Sequence, residues 1–448
     1  MLRFGTHLIL WLRAIQAISS LKDRVMPPGT DPSLTSENRI LCAYIDYLIE
    51  RRQTSSIALY VSHLGPELGT ARYGKFLEIV VDESERHVCV DLGKRHFTGA
   101  PEVLFNSLVC CVEATRTRYD EIIPGMRNRL ESVLKAALGL NPHEISLQQF
   151  SRAWSLRWLC FYDEHRLEAV HQANMLCRDL LMEQKRKDDE ISLIMGLMLL
   201  PYKQQTQVGG TSRNTNHQYL PIIPLDSEQV IQATMEESEW KSAIEEYRIY
   251  SEYTITQKKY LEWRESLNSH ENLVQPTAPV YRRDLGPTEN EGAEIQYEED
   301  MRYYQEKMKE FSYQILRKCE LVRNRIKNLM LKVVESMDNY LQRMLLPRLA
   351  NQLHSVDYDT AQWISSNVLP IKTLQKEFHS KSIDCLKESL HVAEILADTK
   401  TNYLQVFNNL NDDNNVGENE GPNELDFLLQ RIRHSAVALF DIEKDFVI

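Results

Sequence analysis

No two cysteines in this chain are spaced as C-x-x-C, no histidine cluster has zinc-ligand spacing, and the closest thiols are the adjacent Cys110 and Cys111. The eight cysteines therefore read as reduced, mostly buried thiols of a cytosolic or nuclear protein, with neither metal nor cofactor expected. A basic surplus is also missing: 52 Lys and Arg stand against 64 Asp and Glu, a net charge of −12. Non-specific nucleic-acid binding draws its affinity from cations that neutralise phosphates, so direct nucleic-acid contact is not expected. The densest basic run, Lys185, Arg186 and Lys187, reads as the solvated end of a helix rather than an import signal. Long apolar runs are lacking too. The stretch Leu8 to Leu12 is closed by Arg13 without a small-residue cleavage pattern, and nothing later reaches the ~18 apolar residues of a membrane span. The chain reads as soluble, without membrane insertion.

Motifs of catalysis are equally sparse. There is no H-E-x-x-H, no glycine-rich phosphate loop, no G-x-S-x-G elbow and no D-x-D-x-D-G calcium loop. His165 and His171 are six residues apart and fall on different faces of a helix, so one helix cannot aim both at a metal. Glu85 and His87 read as a solvated helix face, because no nucleophile stands near them in sequence. Trp154, Trp158, Phe161 and Tyr162 read as a helix–helix core rather than a ligand cage. No catalytic, cofactor-binding or metal-binding residue is nominated, and the chain is not expected to be an enzyme.

What the 448 residues do contain is helical spacing. Leu167, Val170, Cys177 and Leu181 share one face with Asn174 among them; Leu104, Leu108 and Cys111 share another, as do Tyr260, Trp263 and Leu267. The pattern returns in Leu386, Leu390, Ala393 and Ala397, and in Leu425, Leu429, Ile432, Ala436 and Leu439. Met301 to Leu346 holds neither Gly nor Pro, and its apolar residues from Tyr304 to Met344 keep the helical step. They are rich in Tyr, Phe, Cys and Met where a zipper would favour Leu and β-branched residues, so the segment reads as one long helix, or two with a short break. Strand signals are thin: weak alternation from His87 to Leu92 and the short run Ile79 to Val81.

The fold class expected is all-α, an irregular helical solenoid or stack with no regular short repeat. Residues 1–202 form one stack, 203–224 a polar loop and 225–448 a C-terminal helical domain, with loops at 275–294 and 411–423. The last of these is almost devoid of apolar residues and cannot offset its ordering entropy.

Ser56-Ile57-Ala58-Leu59-Tyr60-Val61-Ser62-His63-Leu64, followed by Ala71-Arg72-Tyr73 and Phe76-Leu77-Glu78, resembles a signature of the 107-kDa nucleoporin family, whose yeast member is named for 84 kDa. Gly65 before Pro66 departs from that pattern, which has Pro directly after Leu. Trp158-Leu159-Cys160-Phe161 with Arg166, Glu168-Ala169, Ala173-Asn174 and Arg178 is similar to a helix pair of the same family. Tyr260-Leu261-Glu262-Trp263 near Leu267-Asn268-Ser269, Leu369-Pro370, Ser389 to Leu396 leading into Tyr403 to Phe407, and the helix from Leu425 to Phe440 resemble later segments in the same order.

The resemblance implies a structural Y-complex subunit of the nuclear pore coat at the nuclear envelope, linking coat nucleoporins and so supporting pore assembly, mRNA export and protein import. It implies that the C-terminal helices bind the 133-kDa nucleoporin and that other Y-complex subunits are neighbours. The chain corresponds to the C-terminal part of the family, so docking of the 96-kDa nucleoporin through the absent N-terminal half is not expected.

The end of a stack has an apolar face with no next repeat to cover it. Val392, Leu396, Tyr403, Phe407, Leu428, Phe440 and Phe446 exceed what one core stripe consumes, and with Glu394 as a rim acid they are the residues expected to meet the 133-kDa partner. Two other classes compete: a helical vesicle-coat or membrane-traffic adaptor, and an all-helical metal-dependent hydrolase that would gather distant His, Asp and Glu residues into a polar pocket.

Overall fold

The computed structural model describes residues 2–18, 36–118, 122–123, 125–138, 146–162, 165–182, 194–195, 198, 238–269, 275–278, 287–336, 338–397 and 424–445. Its contacts divide the chain into two compact units, Met1–Tyr247 and Arg248–Ile448. The division falls inside a helix, whereas the loop expected at 203–224 lies outside the described residues, as does 411–423. Among the described residues there is no strand. His87 to Leu92 is helical, and Ile79 to Val81 is a connection between helices.

The first unit contains α1 (Leu2–Ile18), α2 (Ser36–Glu50), α3 (Thr54–Val61), α4 (Pro66–Leu77), α5 (Glu83–His96), α6 (Pro101–Arg116), α7 (Arg127–Leu138), α8 (Leu147–Ser155) and α9 (Arg166–Met182). A 3-10 segment, Leu156–Phe161, continues α8. Helices α4 and α6 open on proline, whose missing N–H costs nothing in a first turn. Helix α5 carries Glu83 and Glu85 in its first turn and Lys94, Arg95 and His96 in its last, which matches the sign of the helix dipole at both ends. Helices α4 and α6 cross closely at Gly74, where an added Cβ would lie 3.2 Å from the Ser107 carbonyl oxygen.

The centre of this unit is polar as well as apolar. Arg86 on α5 is buried, with its guanidinium over the rings of Trp158 (4.7 Å) and Trp154 (5.4 Å). It donates to the carbonyls of Val80 (3.2 Å) and Trp154 (2.8 Å), and the Trp154 indole N–H donates to the Val81 carbonyl (3.0 Å). One side chain thus ties the α4–α5 connection to the end of α8. Burial lowers the Arg86 pKa to about 10, so the group stays charged at neutral pH. The expected aromatic core of Trp154 and Trp158 is present, organised by a cation that helical spacing does not reveal.

Helix α10 (Ser238–Asn268) begins in the first unit. There Arg178 of α9 makes a two-pronged ion pair with the buried Glu246, Nε and Nη2 each 2.7 Å from a carboxylate oxygen. Asn174 donates to the Ala243 carbonyl (2.8 Å). The polar Asn174 within the α9 stripe is buried because it satisfies the backbone of a neighbouring helix.

The second unit contains the rest of α10, then α11 (Pro287–Glu335), α12 (Asn339–Asn367), α13 (Lys372–Ala397) and α14 (Glu424–Asp445). Residues 287–294, expected as loop, are helical; Pro287 suits a first turn, and the acidic residues that follow suit a helix N-terminus. The 301–346 segment is two helices with a short break. Asp338 caps α12 by accepting from the N–H groups of Tyr340 (2.8 Å) and Leu341 (3.1 Å). That break resets the phase: Met308, Ile315, Cys319, Val322, Ile326, Leu329 and Val333 are buried as their spacing requires, but on α12 the core positions move to Leu341 and Leu345 while Tyr340 and Met344 are half-buried. Trp263 is fully buried, and its indole N–H donates to Thr360 Oγ1 (3.2 Å). Met308, Ile315, Trp363, Ile364, Leu374 and Phe378 join α11, α12 and α13 in one core.

Replacing Arg86 with Leu is expected to lower unfolding free energy by about 2–4 kcal/mol, since two buried carbonyls lose their donor. Thermal or urea unfolding followed by circular dichroism measures it.

Candidate partner-binding surface

Helix α14 lies on α13 and α12 of the second unit. Its inward face is Leu425, Leu428, Ile432, Ser435, Leu439 and Ile442, with Leu428 and Ser435 fully buried. Leu439 and Ile442 pack on Ala361, Cys385 and Leu386. Ser435, a polar residue that apolar spacing passes over, is held there by His354 of α12, whose Nε2 is 2.8 Å from Ser435 Oγ. Leu429 and Ala436, expected on the core stripe, are exposed instead. The stripe runs one position away, through 428 and 435, because the helix rotates to bring Ser435 onto His354.

The opposite face is therefore apolar and open. Leu429, Ala436, Val437 and Phe440 follow the helical step with Arg433 among them, and all are exposed, Phe440 by 66% and Val437 by 59%. Of the residues nominated from sequence, Phe440 lies on this outer row. Glu394 is exposed on α13, where its carboxylate is 2.6 Å from His391 Nδ1. Val392, Leu396 and Leu428 are buried within the chain, so they secure α13 and α14 and do not reach a partner from this arrangement. Tyr403, Phe407 and Phe446 lie outside the described residues. Leu429 and Val437 are exposed beside Phe440, positions that the core-stripe reading of this helix does not reveal.

A second open face belongs to the first unit. On α1, Phe4, Leu8, Trp11 and Leu12 are exposed at positions i, i+4, i+7 and i+8. The other side of α1 is anchored by Arg13, which donates to the His63 carbonyl (2.6 Å), Asn38 Oδ1 (2.8 Å) and Glu37 Oε2 (3.2 Å). Read as a short apolar start, this segment concealed an amphipathic helix.

Beneath α13 lies a buried polar cluster. Arg323 of α11 donates through Nε to Oδ1 of the fully buried Asp357 on α12 (2.8 Å), with its Nη2 on the same oxygen. Cys319 and Cys385 stand beside Asp357, Cys319 Sγ at 3.4 Å from Oδ1. Burial raises the Asp357 pKa and the Arg323 pair opposes it, while the Cys319 thiol is raised by its hydrogen bond with Cys385 and by burial. Oδ2 of Asp357 has no hydrogen-bond partner. Sequence spacing could not find this cluster, whose members come from three helices.

The model of the family described as nuclear pore protein 84 / 107 matches residues 1–411. The match ends before α14. The chain is 25% identical to mouse (Mus musculus) nuclear pore complex protein Nup107 over 189 residues, 42% of this chain and 17% of that protein. It is 27% identical to the human (Homo sapiens) Nup107 over 188 residues, 42% of this chain and 17% of that protein. The Drosophila melanogaster Nup107 is 26% identical over 186 residues, 41% of this chain and 18% of that protein. The matched segment spans less than a fifth of the length of these relatives.

Burial and the nearby Arg431 charge lower the His354 pKa from 6.5 to about 4. A depressed histidine pKa means that the unfolded chain takes up the proton first, so this contribution to stability is whole above pH 6.5 and is lost as pH falls toward 4. The slope is about 1.4 kcal/mol per pH unit in that window. Melting curves at pH 7, 6 and 5 should show the decline, and His354→Gln, which keeps a polar contact but does not titrate, should flatten it; an equally steep decline in the variant would remove His354 as the cause.

Proposed function

Because the chain belongs to the nuclear pore protein 84 / 107 family, we propose that it is a scaffold piece of the nuclear pore coat at the nuclear envelope, joining neighbouring coat subunits without covalent chemistry. Family membership supports the setting, and the open apolar row on α14 carries the mechanism. A helix that buries one face and leaves Leu429, Val437 and Phe440 in water gains free energy only when another surface covers them.

The partner proposed for this row is the C-terminal region of the 133-kDa nucleoporin, with Phe440 as the central anchor and Arg433 and Glu394 at the polar rim. Large exposed aromatic side chains are among those from which interface hot spots are built. Other Y-complex subunits are the proposed neighbours elsewhere on the chain, and the α1 row Phe4, Leu8, Trp11 and Leu12 is a second place for one. Linking coat subunits in this way would support pore assembly and, through it, mRNA export and protein import.

The double substitution Leu429→Asp with Phe440→Asp tests the reading. Both side chains are exposed, so the helical circular dichroism and the melting temperature should hold, while binding to the 133-kDa nucleoporin weakens by about 30-fold or more, the size of one lost hot spot. Unchanged affinity in calorimetry would remove α14 as the contact. Tagged chain should stain the nuclear rim; cytoplasmic puncta would favour a vesicle-coat role.

A further inference from the structure

We propose that Cys319, Asp357 and Cys385 form a structural zinc site that staples α11, α12 and α13 together. One ligand atom from each residue lies within 4.8 Å of the other two, and all three residues are buried. Tetrahedral zinc with bonds of about 2.3 Å to sulfur and about 2.1 Å to oxygen sets its ligands roughly 3.5–3.8 Å apart. Cys319 Sγ and Asp357 Oδ1 already stand at 3.4 Å. Closing on an ion would take side-chain rotations that turn Oδ2 of Asp357 toward the two sulfurs.

The hydrogen bonding points the same way. Arg323 occupies Oδ1 of Asp357, leaving Oδ2 buried and without a partner, a state that costs free energy unless something binds it. A zinc ion would satisfy that oxygen, while Arg323 would hold the carboxylate from behind and fix its orientation toward the ion.

Charge is conserved in the exchange. Without metal, the Arg323 cation and the Asp357 anion cancel beside two neutral thiols. Binding one Zn²⁺ releases two thiol protons to solvent, so two thiolates, one carboxylate, the guanidinium and the ion again sum to zero. A neutral result matters at a site shut away from water, where an uncompensated charge is expensive. Thiolate ligands select zinc over magnesium or calcium. All three ligand residues are buried, so a substrate has no access to the ion, which argues for a structural ion rather than a metal hydrolase.

A closed site loads as the chain folds. The full chain, diluted from urea with Zn²⁺ and passed over chelating resin, should retain about one zinc per chain by elemental analysis. Weakly buffered titration should release about two protons per ion. Cobalt loading should give sulfur-to-metal charge-transfer absorption. Cys319→Ser and Cys385→Ser should each lose the ion and the cobalt band, while Cys110→Ser keeps both. Zinc below one per ten chains, a cobalt spectrum lacking the sulfur band, an unchanged band in Cys319→Ser, or a Cys319–Cys385 disulfide in the purified chain would each overturn the site. The wild-type cobalt spectrum decides the matter even if a serine variant fails to fold.

Discussion

A helix with one apolar side must put that side against something, and every feature of this chain follows from how that requirement is met. In the first unit α4 covers α6, and the α8 segment with its 3-10 continuation covers the rest of α6. In the second, α12 is covered by α11 and α13, and α14 closes over α13. Burial of each large side chain contributes about 1.5–3 kcal/mol. A row left in water, such as Phe440 with Leu429 and Val437, forgoes that gain until a second molecule supplies the missing surface. The scaffold reading proposed above needs no special chemistry, only a second surface laid over that row.

Covering alone does not fix which way a helix faces, because apolar contacts are tolerant of rotation. The specifying contacts here are buried polar ones: Arg86 across Trp154 and Trp158, Arg178 and Asn174 with α10, Arg323 with Asp357, and His354 with Ser435. Each leaves an unpaired buried group if the helices turn or slide, a penalty of about 1–3 kcal/mol per group. Three of these involve arginine, whose planar donors reach a backbone carbonyl or a carboxylate along a set direction.

Most of the helices and their inward faces were legible, because apolar residues at steps of three and four leave little choice. Val170, Cys177 and Leu181 on α9, and Met308, Ile315, Cys319, Val322, Ile326, Leu329 and Val333 on α11, are buried where spacing puts them, while Phe311 of the same stripe is half-buried. Two of the errors share a cause. Leu429 and Ala436 were placed inside, and Tyr340 and Met344 were expected to continue a stripe, but polar contacts set the phase in both places: His354 draws Ser435 inward, and the Asp338 cap restarts α12. The grouping of Cys319, Asp357 and Cys385 was invisible for a different reason. Sequence spacing reports neighbours on one helix, and these three meet only because three helices pack.

The outer row of α14 is presented by the same contacts that hide its inner one. Rotating the helix to bury Phe440 would pull Ser435 away from His354 and expose Leu428, so the row cannot satisfy itself within the chain without loss elsewhere. A surface held in this way is pre-organised, and a partner meets it without ordering a new segment, which lowers the entropy cost of association. The buried charges of Arg323 and Asp357 extend the logic one layer inward: they hold α11 to α12, against which α13 and then α14 are laid. Presentation of the outer row thus depends on polar contacts buried beneath it.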